Sequence, residues 1–201
     1  MYPIDELNND RAANYGHIYE LIKSVNPSIQ LYANPEGSGK KAITQQQLIE
    51  LWPHVDIWQP RFPGSAESFK EHSEQLPSKS WWIYDNGNSP AKVNSPVCYR
   101  KMGLSAFEIG ASGFGFWSFS DSGGSSAYDD FDVRRPDWSV VYEGGSDGFI
   151  SSRRWEAFKT GIRDYKYLKS CQSEVHTGSN LACQEYYRII SPSHCERELN
   201  W

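Results

Sequence analysis

Apolar and polar positions follow two patterns along the chain, short runs typical of strands and longer stretches with helical spacing. The first helical stretch covers residues 11–25 and ends at Asn26-Pro27. Its apolar residues recur at intervals of three and four: Tyr15, Ile18, Tyr19, Ile22 and Val25. Further helices are predicted over 44–52, 66–76, 98–109 and 152–168, with Thr44 and Ser152 as N-caps, and a short one over 184–190.

The strand-like runs precede the helices in regular order. They cover residues 1–7, 29–33, 55–58, 81–84 and 113–119. A strand followed by a helix, repeated along the chain, predicts parallel strands with right-handed crossovers, hence an α/β fold. An open doubly wound sheet and a (β/α)8 barrel both fit this order, but no G-x-G-x-x-G follows the first strand to favour a dinucleotide-binding sheet.

A complete (β/α)8 barrel needs about 250 residues. The units found here occupy residues 1–170. We therefore predict the C-terminal part, about five βα units, of an incomplete TIM-type barrel over residues 1–170, with a C-terminal tail over 171–201.

Charge and hydropathy exclude several classes of protein. The net charge is −5 and the isoelectric point about 5.5, so the chain has no basic footprint for nucleic acid or an anionic membrane. The mean hydropathy is −0.65 and no apolar run is long enough for a membrane-spanning helix. The segment Met1-Tyr2-Pro3-Ile4-Asp5 does not look like a signal peptide. Neither the compartment nor the oligomeric state is predicted.

The cysteines and histidines point to no metal site and no cofactor. Cys98, Cys171, Cys183 and Cys195 form no C-x-x-C pair, and no two histidines have ligand spacing. Three of these cysteines lie near the C-terminus, where one disulfide could close the tail. Which residues would pair stays open.

Aromatic residues are abundant, with 8 Trp and 12 Tyr. Such rings build cores and also line sites for sugars. The working residues of a barrel lie at the carboxyl ends of its strands. We expect a carbohydrate substrate there, contacted by Trp58, Tyr84, Trp117, Asn34 and Asp85. Trp52, Trp81 and Trp155 are expected to serve packing instead.

Asp5 and Glu6 close the first predicted strand. Two neighbouring carboxylates can divide their roles, one acting as a general acid while the other stays ionised. Glycoside hydrolysis requires such a pair. An acidic pair that stabilises the dipole of the following helix is the structural alternative, and both interpretations stay open at this point.

The chain also resembles a known family. Tyr2-Pro3-Ile4-Asp5-Glu6 is similar to the "Y-x-x-D-E-P" strand of a glycoside-hydrolase-like catalytic domain related to glycoside hydrolase family 123, the N-acetyl-β-galactosaminidases. Residues 55–60, 82–84 and 113–117 resemble, in the same order, its "vDiW-x-P", "W-x-Y" and glycine-spaced strands. Residues 152–168 resemble its more specific terminal signature "S-x-R-W-E-x-x-R-x-G-x-x-D-Y-E-Y-L".

This resemblance implies hydrolysis of 2-acetamido glycosides by substrate-assisted retaining catalysis. In that scheme Glu6 is the acid/base and Asp5 orients the acetamido group. Leu7 stands where the family usually has Pro, and three barrel units have no counterpart. Two alternatives remain: a retaining glycosidase with Glu6 as acid/base and Asp85 as nucleophile on sugars without an acetamido group, or a non-catalytic carbohydrate-binding remnant.

Overall fold

A computed structural model of the chain describes residues 1–35, 41–85, 95–129, 137–172 and 180–191. The chain divides into two compact units. The first comprises Met1–Asp85 and Ala111–Gly115, and the second comprises Asn86–Gly110 and Phe116–Trp201. Each unit is described by itself.

In the first unit short strands and helices alternate. The elements are α1 (Ala12–Val25), β1 (Tyr32–Ala33), α2 (Gln45–Leu51), a 3-10 turn (Trp52–His54), β2 (Ile57–Trp58), α3 (Ala66–Ser73) and β3 (Trp82–Asp85). The predicted order of strand and helix is therefore present. The strands are shorter than predicted.

The strands of the first unit are neighbours in chain order. β1 and β2 pair in parallel, with Tyr32 opposite Ile57 and Ala33 opposite Trp58. Two parallel bridges, Trp58 with Trp81 and Arg61 with Tyr84, connect β2 and the residues after it to β3 and the residue before it, and β3 also adjoins β4 (Gly113–Phe116). Sequential parallel neighbours are the arrangement expected of consecutive βα units.

The predicted first strand over residues 1–7 does not form. This segment bends at residues 4–6 and makes one parallel bridge, between Leu7 and Pro35. The physical reason is that side chains occupy the Glu6 amide, which hydrogen-bonds the Tyr2 hydroxyl and the Asn34 amide oxygen instead of a neighbouring strand. Glu6 itself adopts a φ of 48°, which no strand residue adopts.

Two predicted N-caps are confirmed. Thr44 begins α2 with a capping box, in which its hydroxyl accepts from Gln47 N and the Gln47 side chain accepts from Thr44 N. The Ser152 side chain accepts from two free amides in the first turn of its helix, those of Arg154 and Trp155. Helix α1, in contrast, begins after Arg11, which makes no side-chain cap hydrogen bond.

The two faces of the short strands have different surroundings. Ala33 and Trp58 point to the same side, where they join a buried cluster that includes residues of all three helices. The other members of this cluster are Leu7, Ala12, Tyr15, Leu48, Leu51, Trp52, Val55 and Phe69. Successive strand residues alternate between faces. Tyr32, Trp82 and Tyr84 consequently lie on the opposite face, where they are half-buried.

An ionic network fixes the amino ends of these strands. Asp56 accepts from Leu31 N at 2.8 Å, from the Lys23 ammonium at 2.9 Å and from the Tyr19 hydroxyl at 3.3 Å. Burial by itself raises the pKa of Asp56, but the Leu31 amide and the Lys23 ammonium outweigh it, so that the pKa lies below its ordinary value. This network joins α1 to β1 and β2.

The second unit is mainly helical. Its elements are α4 (Pro96–Ile109), β5 (Tyr142–Glu143), a 3-10 turn (Gly145–Asp147), β6 (Phe149–Ile150), α5 (Arg153–Ser170) and α6 (Leu181–Ile190). Strands β5 and β6 form an antiparallel pair. Helices α4 and α5 meet backbone to backbone, because a Cβ on Gly103 would lie 2.2 Å from the Gly161 carbonyl oxygen.

The predicted tail packs against helices of the second unit. Helix α6, which begins before the predicted residue 184, buries Ile190 with Leu104, Phe107 and Leu168. A disulfide joins Cys171 to Cys183, with a Cα–Cα distance of 6.3 Å. This settles the open pairing for two of the cysteines; Cys195 lies outside the described residues.

A buried carboxylate, Asp164 of α5, holds three helices together. It is 4% exposed and accepts from Arg100 Nε of α4 at 2.6 Å and from the Tyr186 hydroxyl of α6 at 2.5 Å. Asp164 and Arg163 belong to the terminal signature that carries the family resemblance. At least for Asp164, the structure shows a role in packing the helices.

Among the described residues no helix is long and apolar enough to cross a membrane.

Candidate active site

Asp5 and Glu6 lie in the bend that replaces the predicted first strand, and both are exposed. The bend leads directly to Leu7, which pairs with Pro35 just beyond the carboxyl end of β1. The acidic pair is therefore placed at the edge of the first unit where a barrel carries its chemistry.

Tyr2 contacts both members of this pair. Its hydroxyl donates to Asp5 Oδ1 at 2.5 Å and accepts from Glu6 N at 3.1 Å. The same hydroxyl also contacts Asn34 Oδ1. Burial, followed by the hydrogen bond to Asp5, raises the pKa of the Tyr2 phenol well above its ordinary value. The hydroxyl therefore keeps its proton at neutral pH.

Asn34 is buried directly behind the pair. Its Oδ1 accepts from Glu6 N at 3.0 Å and its Nδ2 donates to the Tyr84 hydroxyl at 3.4 Å. It is 8% exposed. The sequence predicts that Asn34 contacts substrate. In this structure its amide instead binds the chain's own groups and positions Glu6 and Tyr84.

Tyr84, an expected substrate contact, is half-buried on the same side. Burial raises the pKa of its phenol, the hydrogen bond with Asn34 lowers it, and the charges of Glu6 and Asp5 raise it. The net direction is upward. The Tyr84 phenol therefore senses the charges of both carboxylates and keeps its proton at neutral pH.

The Glu6 carboxylate, unlike that of Asp5, makes no hydrogen bond or ion pair with any residue that the structure describes. The two acids therefore differ in their surroundings. Neither caps α1, because the N-cap residue Arg11 has no side-chain cap bond and its guanidinium instead contacts the Asp5 carbonyl oxygen. The interpretation as a helix-stabilising acidic pair thus finds no supporting contact.

Tyr2 belongs to a row of three aromatic side chains with Tyr32 and Trp82, which the sequence analysis did not identify as part of the site. The Tyr2 ring stacks on Tyr32, with centroids 4.5 Å apart and an angle of 5° between the planes. Tyr32 in turn lies 6.3 Å from Trp82. Trp82 lies against the backbone of Gly113, where a Cβ would be 2.6 Å from the indole. The period-two pattern of β1 and β3 is the signal that could have placed Tyr32 and Trp82 on one face.

The expected sugar contact at Trp58 needs a correction. Trp58 has 0% exposed surface and packs against Trp52 and Phe69, at centroid distances of 5.7 and 5.8 Å. The reason is its strand face: Trp58 shares a side with Ala33 and points toward the helices. Trp52, expected to serve packing, lies in the same core.

The other two predicted residues occupy separate positions. Asp85 is the last residue of β3 and is half-buried. Trp117 belongs to the second unit, where it is 55% exposed and its indole N–H donates to Asp121 Oδ2 at 3.2 Å. The first unit thus contains Asp5, Glu6, Asn34, Tyr84 and Asp85.

Within the described ranges, no group of three or more potential metal ligands occurs.

Comparisons with known proteins match the fold but not the sequence. No protein-family model and no curated protein matches the chain. An endo-β-1,4-mannanase structure from Thermotoga petrophila matches with a TM-score of 0.53 at 16% identity, over 82% of this chain and 43% of the mannanase. A hyperthermostable endo-1,4-β-D-mannanase of the same organism matches with a TM-score of 0.49 at 17% identity, over 79% of this chain and 55% of that one.

The first of these matches supports the predicted fold class. Its fold is similar to this one over most of the chain, as expected for part of a TIM barrel. The chain spans less than half the length of that mannanase. At this identity the likeness concerns the fold alone, and it does not select glycoside hydrolase family 123. The chain is therefore similar in fold to part of a TIM-barrel glycoside hydrolase.

Proposed function

We propose that the chain carries the catalytic residues of a glycoside hydrolase that acts on 2-acetamido (N-acetylhexosamine) glycosides by substrate-assisted retaining catalysis. The observation that carries the proposal is the exposed Asp5–Glu6 pair at the carboxyl edge of the strands, with different surroundings for its two carboxylates. Fold likeness to a glycoside hydrolase and the sequence resemblance support the same class.

Glu6 is the proposed acid/base. Its carboxyl group protonates the glycosidic oxygen while the acetamido carbonyl oxygen of the substrate attacks C1, so that the bond to the leaving group breaks and an oxazolinium ring forms. Glu6 then takes a proton from the water that attacks C1. This step reopens the ring and restores the acetamido group. The exposed Glu6 carboxylate, unpaired among the described residues, suits repeated proton transfer.

Asp5 is the proposed partner of the acetamido group. An ionised carboxylate can accept the acetamido N–H and stabilise the positive charge of the oxazolinium. Because the nucleophile belongs to the substrate, it acts with the high effective molarity of an intramolecular reaction. The protonated hydroxyl of Tyr84, near both carboxylates, is a candidate donor to the substrate. Trp117 remains a proposed sugar contact because its indole is exposed.

A second candidate is a retaining glycosidase in which Asp85 is the nucleophile and Glu6 the acid/base. One matched structure, with a TM-score of 0.53, is a mannanase, which favours a sugar without the acetamido group. Asp85 lies at the carboxyl end of β3, where a barrel nucleophile is expected. Its substrate would form a covalent glycosyl-enzyme intermediate.

Substrate choice separates the two mechanisms. Hydrolysis by the full chain is measured with an aryl N-acetyl-β-galactosaminide, a β-galactoside and a β-mannoside. Activity on the acetamido sugar alone, with inhibition by a thiazoline analogue of the oxazoline, is the expected result. Activity on a 2-hydroxy glycoside, with Asp85 labelled by a 2-fluoro glycoside, would establish the second mechanism. Sugar binding without hydrolysis would identify a non-catalytic binding protein.

Variants of the acidic pair test the roles of its members. Glu6→Gln and Asp5→Asn should each lower kcat by about 10²–10⁴-fold, the usual contribution of a proton-transfer or charge-stabilising group. Asp10→Asn is the matched control, because Asp10 is an exposed acid nearby in sequence that pairs with Lys41 at 3.7 Å. Equal effects of Asp5→Asn and Asp10→Asn would contradict the assigned role of Asp5.

A further inference from the structure

We propose that Tyr2 is a positioning residue for this reaction, which holds Asp5 and Glu6 in one fixed arrangement through a single hydroxyl group. The inference rests on the proposed function of the acidic pair. The hydroxyl lies 2.5 Å from Asp5 Oδ1 and 3.1 Å from Glu6 N, and it also contacts Asn34 Oδ1.

The direction of these hydrogen bonds follows from the number of protons. A phenol has one proton to donate and can accept with its lone pairs. Glu6 N–H must donate, so the Tyr2 oxygen is the acceptor there. The single proton is left with two acceptors, the carboxylate of Asp5 and the amide oxygen of Asn34. A charged acceptor forms the stronger bond, so Tyr2 donates to Asp5 whenever Asp5 is ionised.

The backbone of Glu6 explains why this contact matters for geometry. Its φ of 48° lies in the left-handed region that residues with a side chain rarely adopt. Such a conformation persists where the surrounding groups over-determine it. Two acceptors, the Tyr2 hydroxyl and Asn34 Oδ1, share the one Glu6 N–H at 3.1 and 3.0 Å. Together they hold the turn from which the Glu6 side chain emerges.

The ring of Tyr2 is itself fixed. It stacks on Tyr32 with nearly parallel planes, and Tyr32 adjoins Trp82. Little conformational freedom therefore remains to be lost when the hydroxyl binds its partners. Tyr2 therefore fixes the positions of Asp5 and Glu6 relative to the strands, because its ring stacks on β1 and its hydroxyl contacts both residues.

The charged and titratable groups around this hydroxyl are few among the described residues. Besides Asp5 and Glu6 they are the phenols of Tyr32 and Tyr84, which face it from β1 and β3, and the guanidinium of Arg11, which contacts the Asp5 carbonyl. Arg61 acts on Tyr84. Burial and the neighbouring carboxylate raise the pKa of the Tyr2 phenol, so it stays a donor over the whole range of an enzyme assay.

Tyr2→Phe removes the hydroxyl and keeps the ring. Tyr32→Phe is the matched control, because it makes the same change on the adjacent stacked ring, whose hydroxyl has no hydrogen bond among the residues described. Two readouts are measured on the full chain: the exchange rate of the Glu6 amide by NMR, which needs no substrate, and kcat and KM, determined separately, on an aryl N-acetyl-β-galactosaminide. A thermal melt confirms that each variant folds.

The expected result is specific to Tyr2. Tyr2→Phe should speed Glu6 amide exchange several-fold and lower kcat by about 10- to 100-fold, the loss expected from a small misplacement of reacting groups. Tyr32→Phe should change each quantity by less than about twofold, since it removes no hydrogen bond from the acidic pair.

Other outcomes would refute either the positioning role of Tyr2 or the proposed function of the chain. Equal behaviour of the two variants in amide exchange and in kcat would refute the role of Tyr2, as would a loss of kcat in Tyr2→Phe with the Glu6 amide exchange unchanged. A wild-type chain that hydrolyses no 2-acetamido glycoside would refute the proposed function and the positioning role that rests on it. In that case the exchange rate still decides whether Tyr2 holds the Glu6 amide.

Discussion

The contact between helices α4 and α5 allows a prediction with a definite sign. A Cβ on Gly103 would lie 2.2 Å from the carbonyl oxygen of Gly161 and 2.8 Å from its carbonyl carbon. Ordinary contact between such atoms requires about 3.5 Å. Because the obstacle is backbone, no side-chain rotation relieves it. Gly103→Ala must therefore push the two helices apart by roughly 1 Å, the difference between these distances.

The magnitude follows from two opposing effects. Alanine is favoured over glycine inside a helix by about 1 kcal/mol. Overpacking a well-fitted contact costs about 1–3 kcal/mol, and we take the upper end because the ion pair between Arg100 and the buried Asp164 joins the same two helices. The net loss in the free energy of unfolding is about 2 kcal/mol. For a chain of this size this lowers Tm by about 4–8 °C.

The control is a glycine in an open helical position. A Cβ on Gly16 of α1 would lie 3.9 Å from the nearest side-chain atom of Leu51 and 4.0 Å from that of His54. Gly16→Ala should thus stabilise its unit by up to about 1 kcal/mol. Both variants are compared with wild type by urea denaturation, followed by circular dichroism and tryptophan fluorescence. A Gly103→Ala variant as stable as wild type at unchanged m would refute the close contact.

Three further predictions concern the strands, the ionic network and the disulfide. Gly113→Ala should lower the urea midpoint and Gly115→Ala should not, because a Cβ would meet an indole at 2.6 Å in the first case and only the Gln59 side chain at 3.7 Å in the second. The free energy of unfolding should fall as the pH drops below the unfolded pKa of Asp56, about 3.8, since its folded pKa is lower; in Asp56→Asn this acid slope should be shallower. Replacing both Cys171 and Cys183 by Ser should lower Tm, because the bridge between them restricts the unfolded chain, and a double variant that melts at the wild-type temperature would contradict a stabilising bridge.

Features set by local sequence were the ones that sequence analysis predicted well. The T-x-x-Q spacing of Thr44 and Gln47 encodes a capping box within four residues, and the structure contains it. The helix after Ser152 likewise begins at its predicted cap. Such signals need no partner far away in the chain, so one sequence is enough to find them.

The predicted first strand failed because its hydrogen bonds depend on a distant residue. Asn34 is 28 positions from Glu6 in the chain, and its side chain replaces the backbone partner that a strand would need. No periodicity within residues 1–7 encodes this contact. The same reason hides Tyr2 as a functional candidate, since its importance arises from where Asn34 and Asp5 place its hydroxyl.

Trp58 shows the limit of placing residues at strand ends. The alternation along β2 predicts two faces, but it does not say which face turns toward the helices. The register settles this, because Trp58 lies opposite Ala33 and both are fully buried. The prediction for Asp5 and Glu6 remains a proposal, and it does not depend on register, because it rests on the chemistry of two neighbouring carboxylates.

The proposed role of Glu6 as acid/base is tested most directly by varying the leaving group. Wild type and Glu6→Gln are compared on two aryl N-acetyl-β-galactosaminides, one with a poor leaving group and one with a dinitrophenyl group that departs without protonation. The account predicts a loss in kcat/KM of about 10²–10⁴-fold on the poor leaving group and a much smaller loss on the dinitrophenyl substrate. An equal loss on both substrates, or none on either, would contradict it.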